Sequence, residues 1–431
     1  MGVQSKAVAQ ILDALATNPG KDLILYCCTN YAQAIVAELR EKGIQPLCIC
    51  DSNPALHGSL FSDLEVISID CASERFDDFM LFVANDFKLN AILYQLLESG
   101  KVEKHQIINY VPVVKRKGCL FMNHIRVCEN DLLFCCGKET ESTGRIFERN
   151  KMPTIKNTSD LPNYETLIDE IIALREQIMH DLENGIPCVC TGCVYVSDIY
   201  VTEKCKFSFL SWVGVDYCNF RCLNCAGFKS DVNRSKYIDF CVISDALSRR
   251  GLIDASTTIG LTNGEITVHP KRREVYKLCE KFINVMIFTN AYIYDESIAF
   301  MCSQGARIHV DMSAGTPETF AKIKGVDALE HVKDNLLKYA VVSSDSGINI
   351  KYIIFCGIND SVEEIDAFFN LIADLRIKML SITHDICEEI SNPEVVTKLV
   401  RHFEGKAKEL SIPCSTTSLR LHKLTDIFFN I

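Results

Sequence analysis

Apolar positions along the first part of the chain switch repeatedly between helical and continuous patterns. Val8, Ile11, Leu12 and Leu15 recur at helical spacing, and Asn18-Pro19-Gly20 ends that helix before an apolar run from Leu23 to Cys28. The run reads as a buried strand. Ala32, Ile35, Val36 and Leu39 mark a second helix that stops near Gly43, and Pro46 to Cys50 gives a second strand ending at Asp51. This is a strand-helix-strand unit. Strands at Val66 to Ile69, Phe79 to Ala84 and His105 to Asn109, with a helix from about Lys88 to Leu97 stopped by Gly100, extend a parallel sheet over residues 1–112.

The pattern changes over residues 113–205. His124 to Val127 and Leu132 to Phe134 flank Cys128-Glu129-Asn130-Asp131 and predict a hairpin. Tyr164, Leu167, Ile168, Ile171, Leu174, Ile178 and Leu182 draw the stripe of one long helix closed by Asn184-Gly185. From residue 206 strands and helices alternate. Lys206 to Trp212 is followed by strands near Thr258 to Thr262, Val285 to Thr289, Ile308 to Met312, Asn349 to Ile354 and Met379 to Ile382, which makes six β/α repeats through residue 391. In residues 392–431, Val395, Val396, Leu399, Val400 and Phe403 predict a helix, and Ile427-Phe428-Phe429 adds an apolar cluster; together they read as a cover for an open sheet edge.

Composition narrows the function classes. The 431 residues suffice for two or three domains, and 48% apolar with 23% charged residues is ordinary for a globular protein. A net charge of -11 argues against binding nucleic acid by phosphate attraction. No run of about 18 apolar residues and no leader pattern is seen, so neither membrane insertion nor export is expected and a cytoplasmic location is. The 22 cysteines fall below the density of disulfide scaffolds and read as a reduced set that includes metal ligands.

Three of those cysteines stand in Tyr217-Cys218-Asn219-Phe220-Arg221-Cys222-Leu223-Asn224-Cys225, just after the first strand of the alternating region. Thiolates are the usual ligands of iron-sulfur clusters, and a 4Fe-4S cube held by three of them leaves its fourth iron open to an outside ligand. A loop leaving a strand end is also where barrel enzymes keep their active sites. The alternatives for this Cys-x3-Cys-x2-Cys run are a zinc site completed by a fourth ligand or three unlinked core thiols.

The cysteine loop resembles that of the radical S-adenosylmethionine superfamily, over roughly the C-terminal half of the chain. The resemblance implies an α/β fold with a partial (β/α)6 TIM-like barrel. It also implies that the open iron chelates the amino and carboxylate groups of S-adenosylmethionine. An electron passed from the cluster, which a reductant such as flavodoxin or ferredoxin would replenish, then releases a 5'-deoxyadenosyl radical that takes hydrogen from a substrate. Asn224 stands where the family commonly has an aromatic residue. Thr262-Asn263-Gly264-Glu265 resembles the Gly-Gly-Glu-Pro segment whose backbone meets the cofactor amino group, with Asn263 and Ile266 replacing the first Gly and the Pro; a simple β-turn is the alternative. Asp311-Met312-Ser313-Ala314-Gly315-Thr316 resembles the segment that reaches the cofactor ribose, and both Asp311 and Ser313 can bond hydroxyls. Helix capping by Ser313 or Thr316 and a buried, paired Asp311 are the competing roles. Lys351 is a candidate for the methionine carboxylate, against a solvated lysine. Thr289-Asn290 and His384-Asp385 end the third and sixth strands on the face where catalytic groups gather.

Two further resemblances concern the rest of the chain. Asp51-Ser52-Asn53-Pro54 followed by Gly58 is similar to a turn in the small Rossmann-like domains attached to sugar-modifying and sugar-nucleotide enzymes. The turn Cys27-Cys28-Thr29-Asn30-Tyr31-Ala32 lacks the glycines of a dinucleotide site, so scaffold or substrate docking competes with a bound nucleotide. Cys119, Cys135 or Cys136, Cys190 and Cys193, with Cys128 and Cys188 in reserve, resemble the ligands of SPASM or twitch accessory-cluster segments. Structural zinc or plain buried thiols are the alternatives. The functional expectation is a radical enzyme acting on a sugar or nucleotide-linked sugar, as in cell-surface carbohydrate biosynthesis. A peptide-modifying maturase, or a non-catalytic iron-sulfur or zinc scaffold, are the rival readings.

Overall fold

A computed structural model describes residues 4–85, 89–134, 138–140, 144–146, 152–202, 205–213, 217–223, 225, 237–262, 264–343, 347–384 and 393–416. The chain divides into two compact units that are discontinuous in sequence. One comprises residues 1–124, 172–208 and 247–257, the other 125–171, 209–246 and 258–431. The linear divisions suggested by the sequence at 112 and 205 therefore run across them.

The first unit opens with α1 (Gln4–Thr17), β1 (Asp22–Tyr26), α2 (Asn30–Glu41), β2 (Cys48–Cys50), β3 (Leu60–Phe61), β4 (Leu64–Ile67), α3 (Ile69–Arg75), β5 (Phe79–Val83) and α4 (Leu89–Glu98). Its five strands lie in the order β3-β4-β2-β1-β5, with β4, β2, β1 and β5 parallel and β3 antiparallel at the edge. Strand order reverses between β1 and β5, as it does in Rossmann-like sheets. Alternate residues feed two separate cores. Ile24, Cys48, Cys50, Phe79 and Leu81 pack with Ile92, Leu93 and Leu96 of α4, while Leu23, Leu25, Ile49, Val66 and Phe82 pack with Val8, Ile11, Ile35 and Leu39 of α1 and α2. A sheet buried on both faces needs nearly continuous apolar strands, which is what its sequence provides.

The strand expected over His105 to Asn109 is only a single bridge, Ile107 to Leu81, after a short 3-10 turn at Lys104–Gln106. Asn109 explains the shortfall: its Oδ1 accepts from Val83 N at 3.0 Å and its Nδ2 donates to Val83 O at 2.9 Å, so a side chain takes over the strand pairing. The same unit holds β6 (Val113–Gly118) antiparallel to β12 (Ser197–Thr202) and the C-terminal part of α5 (Tyr164–Glu183).

In the second unit the predicted hairpin forms from β7 (His124–Val127) and β8 (Asp131–Leu133), with β11 (Thr154–Lys156) antiparallel to β8. A small antiparallel pair, β9 (Lys138–Thr140) and β10 (Gly144–Ile146), stands apart from this sheet. The alternating region follows as β13 (Phe209–Val213), α6 (Phe240–Arg249), β14 (Thr258–Thr262), α7 (Arg272–Cys279), β15 (Val285–Phe288), α8 (Glu296–Ser303) and β16 (Arg307–Asp311). It continues with α9 (Pro317–Lys324), α10 (Leu329–Val342), β17 (Ile348–Ile354), α11 (Val362–Ile372), β18 (Ile377–His384), α12 (Pro393–Glu409) and β19 (Cys414–Thr416). Strands β13 to β19 lie side by side in chain order, each parallel to the next. The six expected β/α strands are all present, and β19 adds a short seventh against β18. The expected C-terminal cover thus includes an edge strand as well as α12, while residues 417–431 lie outside the described ones.

The two faces of this sheet differ in chemistry. Leu210, Trp212, Ile259, Leu261, Ile308, Val310, Ile350, Tyr352 and Leu380 are buried on one face; there the Tyr352 ring meets Phe368 of α11 at 5.0 Å and Phe403 of α12 at 5.6 Å. The period of two places Ser211, His309, Asp311, Asn349, Lys351 and Ser381 on the other, in register across neighbouring strands. Apolar side chains seal the helix layer, and the opposite face is free to carry polar chemistry.

Candidate active site

The cysteine loop leaves the C-terminal end of β13, and the backbone of its neighbours fixes it. Arg221 N donates to Lys324 O at 3.2 Å and Leu223 N to Ile323 O at 2.8 Å, so the loop occupies carbonyls at the end of α9 that the helix cannot satisfy itself. Gly325, at φ 74°, ends α9 in the left-handed conformation, and a Cβ there would lie 2.9 Å from Arg221 O. Only glycine meets both demands. Cys225 N donates to Cys222 O at 3.2 Å, which turns the loop back on itself.

Cys218, Cys222 and Cys225 all remain half-buried. Burial pushes the Cys218 thiol up, opposed by the Phe220 amide, which points at its sulfur from 3.4 Å; Asn290 Nδ2 approaches the same sulfur at 3.8 Å. Burial raises the Cys222 thiol to about 11, opposed by the charge of Lys324 and reinforced by Asp311 and by the other two cysteines. The three sulfurs therefore lie close enough to feel one another. Among the described residues, however, no three His, Cys, Asp or Glu side chains gather around one point as a single ion would require. Phe220 N and Asn290 Nδ2 both point at the Cys218 sulfur, and donors of this kind would tune an iron-sulfur cluster if one were held there.

Glu265 organises the neighbouring strand ends. Its side chain is fully buried and accepts from Thr267 N and Oγ1, from Thr289 Oγ1 at 2.8 and 3.0 Å, and from Asn290 N at 2.6 Å. Burial pushes its carboxyl up while these donors pull it down. Glu265 N in turn donates to Tyr217 O at 2.7 Å, next to the first cysteine. The carboxylate thus ties the end of β14 to the end of β15, and the Glu265 amide ties that corner to the start of the cysteine loop. Gly264 precedes it at φ 67°, and Asn263 lies outside the described residues, as do Asn224, Cys135, Cys136 and Asp385. Asn290 closes the connection, because its Nδ2 also donates to Asn219 Oδ1 at 2.7 Å.

On β16, Asp311 is half-exposed and pairs with Lys324 at 3.0 Å, while Lys324 itself is 3% exposed. Ser313 is fully buried in the left-handed region at φ 50°, donating to Asp311 Oδ1 and accepting from Ile353 N at 2.9 Å. In this structure the serine hydroxyl is a strut that aims Asp311. Thr316 caps α9 through Thr319 N, and Glu364 accepts from the Gly315 and Thr316 amides. The side chain at 315 must be absent, because a Cβ would lie 2.3 Å from Phe368 N on α11. Lys351 stands opposite Asp311 in the β16–β17 register, on the polar face and half-buried.

Of the sequence candidates, the structure thus joins Cys218, Cys222, Cys225, Glu265 and Asn290 through one hydrogen-bonded and electrostatic network, and Asp311 and Ser313 to it through Lys324. Sequence reasoning missed Lys324 and Asn219. Lys324-Gly325 reads only as an ordinary helix end, so no local signal singles it out.

The accessory-cluster candidates divide. Cys119, Cys188 and Cys190 pack against one small apolar cluster built on Met122, Ile178, Met179, Ile199 and Val201. Thr191 holds the Cys188 turn through the Cys188 amide at 2.8 Å, and Cys193 N donates to Cys190 O at 3.1 Å. Cys128 lies elsewhere, buried with Leu133 and Val213. At the switch in strand order of the first sheet, Asp51 accepts from Cys28 N and from Asn53 N, both at 2.8 Å, and Thr29 Oγ1 donates to Ala84 O at 2.6 Å. Asp51 therefore serves as a turn-forming acceptor.

No protein-family model matches the chain, and no curated protein does. Among solved structures it is similar to a radical SAM methyltransferase from Sphaerobacter thermophilus, at 13% identity over 59% of this chain and 84% of that one, with a TM-score of 0.37. It is similar to a domain of pyruvate-formate lyase-activating enzyme from Bacteroides vulgatus ATCC 8482, at 13% identity over 37% of this chain and 98% of that one, with a TM-score of 0.31. Methylornithine synthase (PylB) is similar at 13% identity over 50% of this chain and 73% of that one, with a TM-score of 0.34. With all three TM-scores below 0.5, the α/β architecture stands on the strand order and register of this chain.

Proposed function

We propose that this chain is a radical S-adenosylmethionine enzyme whose cluster is held by Cys218, Cys222 and Cys225. The observation that carries the reading is the cysteine loop itself: three half-buried thiols at the end of the first of seven consecutive parallel strands, with an amide and a carboxamide aimed at one sulfur. Cys218, Cys222 and Cys225 would hold a 4Fe-4S cluster, which would supply the electron for reductive cleavage of S-adenosylmethionine to methionine and a 5'-deoxyadenosyl radical. The chain's own residues do the rest by position. Main chain at Gly264-Glu265 and the Asn290 side chain would face the cofactor amino group, with Glu265 holding those strand ends in place. Asp311, braced by Ser313 and Lys324, would accept from ribose hydroxyls, and Lys351 opposite it would meet the methionine carboxylate.

For the substrate the reading is a sugar or nucleotide-linked sugar, supported by the Rossmann-like strand order of the first unit. A separate accessory cluster on Cys119, Cys135 or Cys136, Cys190 and Cys193 is also proposed, supported by the one apolar cluster against which Cys119, Cys188 and Cys190 pack. The test is anaerobic reconstitution with iron and sulfide, followed by S-adenosylmethionine and dithionite. Deoxyadenosine should form, and Asp311→Asn should raise the KM for S-adenosylmethionine about tenfold, the order of one lost hydrogen bond to a charged group. Wild-type protein that binds iron but releases no deoxyadenosine would overturn the reading. Nucleotide sugars and short peptides, supplied in parallel, separate the substrate classes by which one accelerates release.

A further inference from the structure

Two polar groups on the sheet face below the candidate site lack the partners that their burial demands. Arg307, the first residue of β16, shares a face with His309 and Asp311, and among the described residues neither a hydrogen bond nor an ion pair engages its guanidinium. Burial is the one influence on its pKa, which falls to about 10. The side chain nonetheless keeps accessible surface. His309 has the same combination: burial, and then Arg307, push its imidazole down to about 3, so the ring is neutral and stacked on Phe288 at 4.6 Å. Asn349, opposite His309 in the register and 5% exposed, has its Nδ2 3.3 Å from His309 Nε2, while its Oδ1 has no partner.

A buried cation is stable when paired, and a buried acceptor when it receives a hydrogen bond. Here an unmatched cation and an unmatched acceptor share one face two residues apart in register. A single ligand end satisfies both if it carries an anionic oxygen group beside a hydroxyl or amino hydrogen. We propose that Arg307 and Asn349 bind such an end of the substrate, a phosphate or carboxylate flanked by a hydrogen-bond donor, on the polar face of the parallel sheet. The inference deepens the radical-enzyme reading and rests on it for the word substrate. Four strand residues separate Arg307 from Asp311, about 13 Å at the usual rise, so a molecule anchored at Arg307 can extend toward the strand ends where Asp311 and the cysteine loop stand.

The test uses full-length, anaerobically reconstituted protein. Glycerol 3-phosphate serves as the phosphate probe and lactate as the carboxylate probe, each compared with sodium chloride at matched ionic strength. One of them should raise the unfolding temperature by about 2–4 °C at saturation, and Arg307→Gln should abolish the rise. Asn349→Asp should raise the unfolding temperature without ligand, by giving Arg307 an internal counter-ion, and should remove the response to the probe. The proposal fails if neither probe exceeds chloride, if Arg307→Gln keeps the full response, or if Asn349→Asp lowers the unfolding temperature and still responds. Deoxyadenosine release without substrate reports separately on the radical reading. If it is absent from wild type while the probe response is present, the enzyme assignment fails and the anion site stands; the reverse pattern sinks only the site.

Discussion

The two parallel sheets of this chain differ in what they do with their second face. The first sheet, β4-β2-β1-β5, is apolar on both sides and feeds two cores, so all of its strand residues but Asp22 and Glu65 are buried. The sheet from β13 to β18 is uniformly apolar on the helix side, while its other side mixes apolar residues such as Phe209, Val213 and Met286 with Ser211, Arg307, His309, Asp311, Asn349, Lys351 and Ser381. Polar groups on a buried strand face cost stability unless they are satisfied, so their accumulation on one face marks where ligands are met. On the proposed reading, the first sheet is scaffold and the second carries the chemistry.

Substitutions can break that division or sharpen it. The largest effect is expected at the cysteine loop. Cys222→Ala should reduce cluster absorbance and 5'-deoxyadenosine release to background while shifting stability by no more than about 1 kcal/mol, because the thiol is only half-buried. Iron analysis and thermal unfolding on the same sample check it. Next comes the first sheet: Phe82→Ala, at a side chain 2% exposed, should cost about 3–5 kcal/mol in denaturant unfolding, with iron per folded chain unchanged. Loss of iron at that position would dissolve the distinction between the sheets. Smaller again is Lys324→Met. The ion pair with Asp311 is buried on the lysine side but a third exposed on the other, so removing it should cost about 2 kcal/mol, less than a fully buried pair. Because Asp311 is then unbraced, affinity for S-adenosylmethionine should also fall, which equilibrium binding can measure.

Much of this architecture was legible from periodicity, and the reasons are physical. Strands buried on both faces spell continuous apolar runs, as at Leu23 to Tyr26 and Phe79 to Val83, and strands with one polar face alternate, as Arg307-Ile308-His309-Val310-Asp311 does. The cysteine spacing was legible because a cluster needs several thiolates from one short loop. Longer-range relations were not. The strand expected at residues 105–109 was lost to a side-chain pairing by Asn109, which local pattern cannot register. The role of Ser313 as a buried strut depends on Ile353 and Asp311 meeting it in space. Lys324 reaches Asp311 and influences Cys222 only because the cysteine loop rests on the end of α9, a contact between residues about one hundred positions apart. The polar alternation of β16 was visible in the sequence and does point to Arg307 and His309, although only the missing partners give it meaning.

The central claim is that three cysteines hold a cluster with one iron left open to S-adenosylmethionine. Electron paramagnetic resonance of the dithionite-reduced, reconstituted full chain tests it most directly. The account predicts a 4Fe-4S signal that changes on adding S-adenosylmethionine and vanishes in Cys222→Ala. A cluster signal indifferent to S-adenosylmethionine, or one that survives the loss of Cys222, would contradict it.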